Sequence, residues 1–148
     1  MSSENHSGVV SLFTFAEKKA LFTADVGVAG LNEVIENAPS LGVTLYGLSF
    51  FQAPHHGSKR NVGPSVLDRL LGPKRAHGSV PEYTAFISAS KEGEPKHPSK
   101  RVVNAMIRRG AKVISTQGST KCFFSSGMPD RGWQTATPLP FYENVEDD

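Results

Sequence analysis

The chain has 148 residues, with 16 basic and 14 acidic side chains, a net charge of +2 and an apolar content of 38%. That length suits one domain around one core, and the composition excludes a disordered or fibrous chain. A single cysteine excludes a disulfide framework and a cysteine-rich zinc site, and the mild basicity fits an anionic substrate without demanding nucleic acid.

The opening MSSENHSG is polar and lacks the basic-then-apolar pattern of a signal peptide. No apolar run approaches the roughly 18 residues that span a bilayer, so a cytoplasmic chain without a membrane segment is expected. GVVSLFTF and ALFTAD are short apolar runs joined through Glu17, Lys18 and Lys19, and predict a β-hairpin. In GLNEVIENAPSLG, Leu31, Val34, Ile35 and Ala38 fall at helical spacing, with Pro39 ending the turn. LYGLSFFQAP reads as an aromatic-rich strand, and PSVLDRLLGP as a helix with Pro64 in its first turn and Val66, Leu67, Leu70 and Leu71 on its core face. YTAFISAS is the next strand. SKRVVNAMIRRG is a helix with Val102, Val103, Met106 and Ile107 as its stripe and Gly110 closing it. KVISTQ and KCFFS read as a final strand pair, with Cys122 as a small buried hydrophobe. The proline-rich remainder, residues 126–148, is expected to be a surface extension of the domain formed by residues 1–125, packed through Trp133 or Phe141 and not a domain of its own. Helices and strands alternate after the hairpin, which predicts an α/β layered structure, one mixed sheet with helices packed on it. Periodicity alone leaves an α+β arrangement with an antiparallel sheet as the alternative.

Three polar corners each follow an apolar strand: Thr23-Ala24-Asp25, Pro54-His55-His56-Gly57-Ser58, and the loop ending Lys96-His97-Pro98-Ser99. In α/β sheets, ligands gather outside the carboxyl ends of the strands, so Asp25, His55, His56 and His97 are expected to share a crevice. Carboxylate oxygen and imidazole nitrogen suit zinc, manganese or iron, and an aspartate can bridge two cations. Taken singly, Asp25 also reads as a turn cap and His97 as the lead-in to a helix. His6 and His77 read as solvated. The sheer adjacency of His55 and His56 on a Gly-Ser corner is harder to account for by a plain turn.

The course NHSGVVSLFTF, KKALFTADVG, LSFFQAPHHGSKRN, YTAFISAS and KHPSKRVVNAMIRRGAKVISTQ resembles the second half of metallo-β-lactamase-fold hydrolases, nearest the C-terminal domain of competence-type DNA-uptake proteins and their soluble relatives. PHHGSK and HPSKRVV are its most specific elements. The resemblance implies half of an αββα sandwich, Asp25 as a metal-bridging ligand, and the corners at His55–Ser58 and His97–Ser99 lining an active site. Ala24 stands where the family has glycine, and Val26-Gly27 where an acidic residue is common. The family's His-x-His-x-Asp-His signature, which supplies most first-sphere ligands, is absent from this sequence.

The expectation is therefore a metal-dependent, phosphodiesterase- or nuclease-like hydrolase present as a partial site, completed by a complementary N-terminal half or by another copy. Asp25, His56 and His97 would hold a divalent metal, zinc or manganese, in a two-metal site once completed. His55, His56 and His97 would carry proton transfer, and Ser58, Lys59 and Ser99 would contact a phosphate, with Arg60, Lys96, Lys100 and Arg101 adding positive charge. Two other readings stand beside it: a non-catalytic module that binds anions or nucleic acid, and a structural subunit whose exposed sheet docks on a partner.

Overall fold

A computed structural model describes residues 8–92 and 98–145. The hairpin expected from the sequence forms first: β1 (Ser11–Phe15) and β2 (Lys18–Phe22) pair antiparallel, with Phe15 opposite Lys18. The reversal is made by Ala16 and Glu17, both at positive φ (45° and 65°), the backbone of a tight two-residue turn matched to strand twist. Lys18 and Lys19 thus belong to β2 and not to the loop.

The chain then runs α1 (Val28–Asn37), a 3₁₀ turn (Ala38–Leu41), β3 (Phe50–Gln52), α2 (Pro64–Leu71), β4 (Tyr83–Ile87), α3 (Lys100–Ile107) and β5 (Ala111–Ser115). The five strands form one mixed sheet in the order β1-β2-β3-β4-β5, antiparallel only at the hairpin and parallel from β2 to β5. The protein is therefore an α/β structure with helices packed on a mixed sheet, and the antiparallel α+β alternative does not hold. Parallel neighbours need crossovers, and α1, α2 and α3 supply them in turn.

Alternation along the strands decides which side carries the core. Leu21, Phe51, Ala85, Ile87 and Val113 point to one face and are buried against Leu31, Val66, Leu67, Leu70, Val103 and Met106 of the three helices. Each of these side chains apart from Ala85 contributes about 1.5–3 kcal/mol on burial. The register puts Phe13, Phe22, Phe50, Phe86 and Ile114 on the opposite face. There the rings form a row, Phe13–Phe22 at 5.8 Å, Phe22–Phe50 at 5.4 Å and Phe50–Phe86 at 5.0 Å between centroids. Among the described residues no helix covers this row, and Phe13 and Phe15 remain 65% and 84% exposed.

Several boundaries differ from the sequence expectation. The helix after the hairpin starts at Val28, and Pro39 sits inside the following 3₁₀ turn, which closes at Gly42 with φ 69°. The strand expected over residues 45–54 shrinks to three residues, because Gly47 at φ 83° breaks the extended run before it. Residues 121–125 form no strand. Phe123 instead lays its ring 5.1 Å from Phe50 on the aromatic face, and the outer edge of β5 is taken by Leu139, whose N–H donates to the Val113 carbonyl at 2.8 Å. With no ladder to bury it, Cys122 is exposed, contrary to the expectation of a buried thiol.

The tail packs through more than the expected aromatics. Asn104 grips Tyr142 with two 2.8 Å hydrogen bonds, one to its carbonyl and one from its N–H. Phe141 packs between His77, at 5.1 Å, and Arg108, at 5.4 Å, whereas Trp133 is half exposed. No helix among the described residues is long and apolar enough to cross a membrane.

Candidate functional site at the strand ends

β2, β3 and β4 run parallel, so the segments leaving them emerge on one edge of the sheet. The three expected corners are joined there by direct backbone bonds, the third through Ser99. The His55 N–H donates to the Ala24 carbonyl at 3.0 Å, which sets the histidine corner against the Asp25 turn. The Ser99 N–H donates to the Gly57 carbonyl at 3.2 Å, which brings in the start of α3. His97 lies outside the described residues, as do Lys96 and His6.

Two polar side chains that sequence reasoning missed hold the corner in shape. Gln52, the last residue of β3, accepts through Oε1 from the N–H groups of Thr23 (3.0 Å) and Ala24 (3.2 Å), while the buried Thr23 hydroxyl donates to the Gln52 carbonyl at 2.7 Å. Asn61 is buried, and its Nδ2 donates to the carbonyls of Asp25 (3.2 Å) and Val26 (3.3 Å). Neither carries a local sequence signal, because the backbone partners of each amide lie 28 to 36 residues away in the chain.

Those bonds fix the histidine tautomers. Two carbonyls can only accept, so they orient the Asn61 amide with Oδ1 outward, 3.0 Å from His55 Nδ1. In the neutral ring that nitrogen carries the proton and Nε2 keeps its lone pair. His56 reaches the same state by another route, with Nδ1 2.7 Å from the Ser88 carbonyl. The two rings stand 5.8 Å apart, His55 half-buried and His56 exposed. An Nδ1–H anchored on an oxygen with Nε2 open is the arrangement that metal-ligating and proton-accepting histidines use.

The backbone here is strained. His55, His56 and Gly57 are consecutive at φ 45°, 55° and 73°, and Ala24 opposite them is at 48°. Non-glycine residues at such φ cost free energy and persist where surroundings impose them, often at functional sites. Gly57 is required, since a Cβ there would stand 3.1 Å from Ile87 Cγ2 and 3.2 Å from Pro98 Cβ.

The expected phosphate contacts divide. Ser58 and Ser99 are buried, and their hydroxyls accept from the protein's own backbone, from Arg60 N–H at 3.3 Å and Val102 N–H at 3.4 Å. Ser99 caps α3 as the sequence suggests, whereas Ser58 does not lead into α2, whose N-cap is Gly63. Lys59 is exposed at the same corner. The donor types fit a divalent cation: an exposed Asp25 carboxylate and two imidazoles with open Nε2 atoms. Their number does not suffice, for among the described residues no three His, Cys, Asp or Glu side chains gather closely enough to hold a metal.

No family model matches the chain, and no solved structure matches it. Among curated proteins the chain is similar to ComE operon protein 3 of Bacillus subtilis (strain 168), 27% identical over 115 residues. The similarity takes in 78% of this chain but only 13% of that protein, so this sequence spans a small part of the relative it matches.

Proposed function

We propose that the chain is the second half of a metallo-β-lactamase-type phosphodiester hydrolase, carrying part of a metal site that further polypeptide completes. The observation that supports it is the corner itself: a strained, amide-braced turn presenting two adjacent imidazoles beside an aspartate-bearing strand end. A structural turn gains nothing from paired histidines at positive φ. The likeness to ComE operon protein 3, most of which lies outside the match, supports the reading that such a half works within a larger assembly. The aromatic face, open at Phe13, Phe15 and Phe22, agrees with a missing second layer.

In this reading Asp25, His56 and His97 hold zinc or manganese together with donors from the completing half. That metal supplies a water acidic enough to act as nucleophile near neutral pH. His55, its Nδ1–H braced by Asn61, offers Nε2 to accept or return a proton at the reacting oxygens. Lys59 stands for the phosphate's charge, and Ser58 and Ser99 shape the corner by capping it. A second reading, a degenerate module that binds anions without chemistry, is favoured by the absence of three clustered donors among the described residues.

The test mixes the full chain with a polypeptide bearing the His-x-His-x-Asp-His signature and follows zinc or manganese stoichiometry and hydrolysis of bis(p-nitrophenyl) phosphate. Neither piece alone turns over, and the mixture does. Asp25→Ala abolishes that turnover, and His56→Ala and His97→Ala each lower it by orders of magnitude, whereas His77→Ala does not. Turnover unchanged by Asp25→Ala, or robust turnover by the chain alone, overturns the proposal.

A further inference from the structure

Beyond the ends of β4 and β5, the two segments leaving the sheet are laced together. Thr116, the first residue after β5, donates its N–H to the Ile87 carbonyl at 3.0 Å. Its hydroxyl lies against the residues that leave β4: Oγ1 accepts from the Ala89 N–H at 3.0 Å and reaches the Ala89 carbonyl at 3.4 Å. Gln117 adds another tie, its Nε2 donating to the Ser90 carbonyl at 3.1 Å. A β-branched residue suits the Thr116 position, because its restricted χ1 keeps the hydroxyl in one direction. Thr116 and Ala89 are both half-buried, so an Ala89 N–H deprived of this acceptor would not be fully compensated by water.

The Ala89 N–H belongs to the same peptide unit as the Ser88 carbonyl, the group that stands 2.7 Å from His56 Nδ1. A peptide unit is planar, with its N–H and C=O on opposite sides, so holding one of them holds the other. Thr116 Oγ1, the Ser88–Ala89 peptide and His56 Nδ1 therefore form a chain of hydrogen bonds in which each bond polarises the next. His56 needs such support more than its neighbour does. Its ring is anchored on the carbonyl of an exposed residue past the end of a strand, whereas His55 is anchored on the buried Asn61. Water competes for the Ser88 carbonyl, and without a fixed acceptor at Nδ1 the ring is free to carry its proton on Nε2 instead.

We infer that Thr116 is a positioning residue for His56: through the Ser88–Ala89 peptide it keeps the imidazole proton on Nδ1 and leaves Nε2 open. The use of that open nitrogen in chemistry rests on the phosphodiester-hydrolase reading, in which His56 meets the metal; the relay of bonds itself does not. The corner then has two separate braces, Asn61 for His55 and Thr116 for His56. One is an amide touching its ring, and the other is a hydroxyl acting through a peptide. Because Asn61 precedes α2 and Thr116 follows β5, each brace can be cut without the other.

The test reads the tautomer directly, from long-range proton–nitrogen correlation spectra of the full chain labelled with nitrogen-15 and free of added metal. The pH is set about two units above the ordinary histidine pKa, so that both rings are neutral. His56→Gln identifies the His56 signals. The parent should carry the His56 proton on Nδ1; a parent carrying it on Nε2 overturns the inference before any further substitution. Thr116→Val keeps the branched shape and removes the hydroxyl, and should move most of the neutral His56 population to the Nε2–H form. Thr116→Ser should restore the parent pattern, and His55 should keep its own pattern in both. Thr116→Ala carries the same expectation where the valine variant does not fold. An unchanged His56 on loss of the hydroxyl, or no restoration by serine, overturns the inference. So does an equal shift in Gln117→Leu, which cuts the tie to Ser90 and leaves the relay whole, since that would mean general loosening of the β4 exit. In the completed assembly Thr116→Val should weaken zinc binding about tenfold, as loss of an outer partner of a ligating histidine does. A shifted tautomer with unchanged zinc affinity and turnover upholds the relay and removes His56 from the metal site, so the two failures separate.

Discussion

Single side chains in this protein are placed by what they must satisfy. Asn61 and Gln52 have no apolar reason to be inside; they are there because four backbone groups of the Asp25 turn need partners. Their role was not legible in the sequence, since amide-to-backbone bonds spanning 28 to 36 residues leave no local pattern. Tyr83 is the opposite case. Its hydroxyl is buried with no hydrogen-bond partner among the described residues. Burial pushes its pKa well above the ordinary tyrosine value, against the pull of Arg109 and Arg75. Tyr83→Phe should therefore raise stability, by about 1 kcal/mol in urea unfolding, by removing an unpaired polar atom. The sign of its pH dependence follows. Above pH about 10 the unfolded chain releases this proton while the fold retains it, so stability falls as pH rises. The Phe variant should lose that component, seen as a widening gain over the parent between pH 9 and 11.

At the scale of elements, the corners behave as one strained unit. Ala24 at φ 48° occupies a conformation in which a side chain is crowded, and Ala24→Gly should stabilise by about 0.5–1 kcal/mol, the relief less the extra freedom of the unfolded glycine. Gly57→Ala should do the reverse, costing at least about 1–2 kcal/mol, with the added Cβ pressing Ile87 and Pro98. Denaturant midpoints of the two variants moving in the same direction would contradict the shared-strain account. Elements with strong periodicity were readable in advance: the hairpin, the leucine face of α2 and the Ser99 cap of α3 all stand where the pattern put them. The failures have a common physical origin. KCFFS has strand composition but no edge to join, because Leu139 reaches β5 from farther along the chain. The meeting of the three corners was legible from their strand-end positions, whereas His97 lies outside the described residues and no three metal-ligating side chains gather among those described.

The whole molecule has two unlike faces. One side of the sheet is sealed by three helices, while the other carries a row of phenylalanines, with Phe13, Phe15 and Phe22 in the open. Unpaired, that side should bind a hydrophobic dye in the native state. Phe13→Ser with Phe15→Ser should sharply reduce the dye signal while shifting the unfolding midpoint little, since neither ring is buried. An unchanged signal would place the dye elsewhere, for instance against Phe124 and Trp133. The sheet's two margins are just as unequal. Leu139 occupies the backbone of β5, whereas β1 ends the sheet at the other side with no strand beyond it among the described residues. Main-chain pairing between copies is therefore obstructed at the middle of β5, where Leu139 already holds the Val113 carbonyl, and open along β1, so two molecules would join β1 to β1.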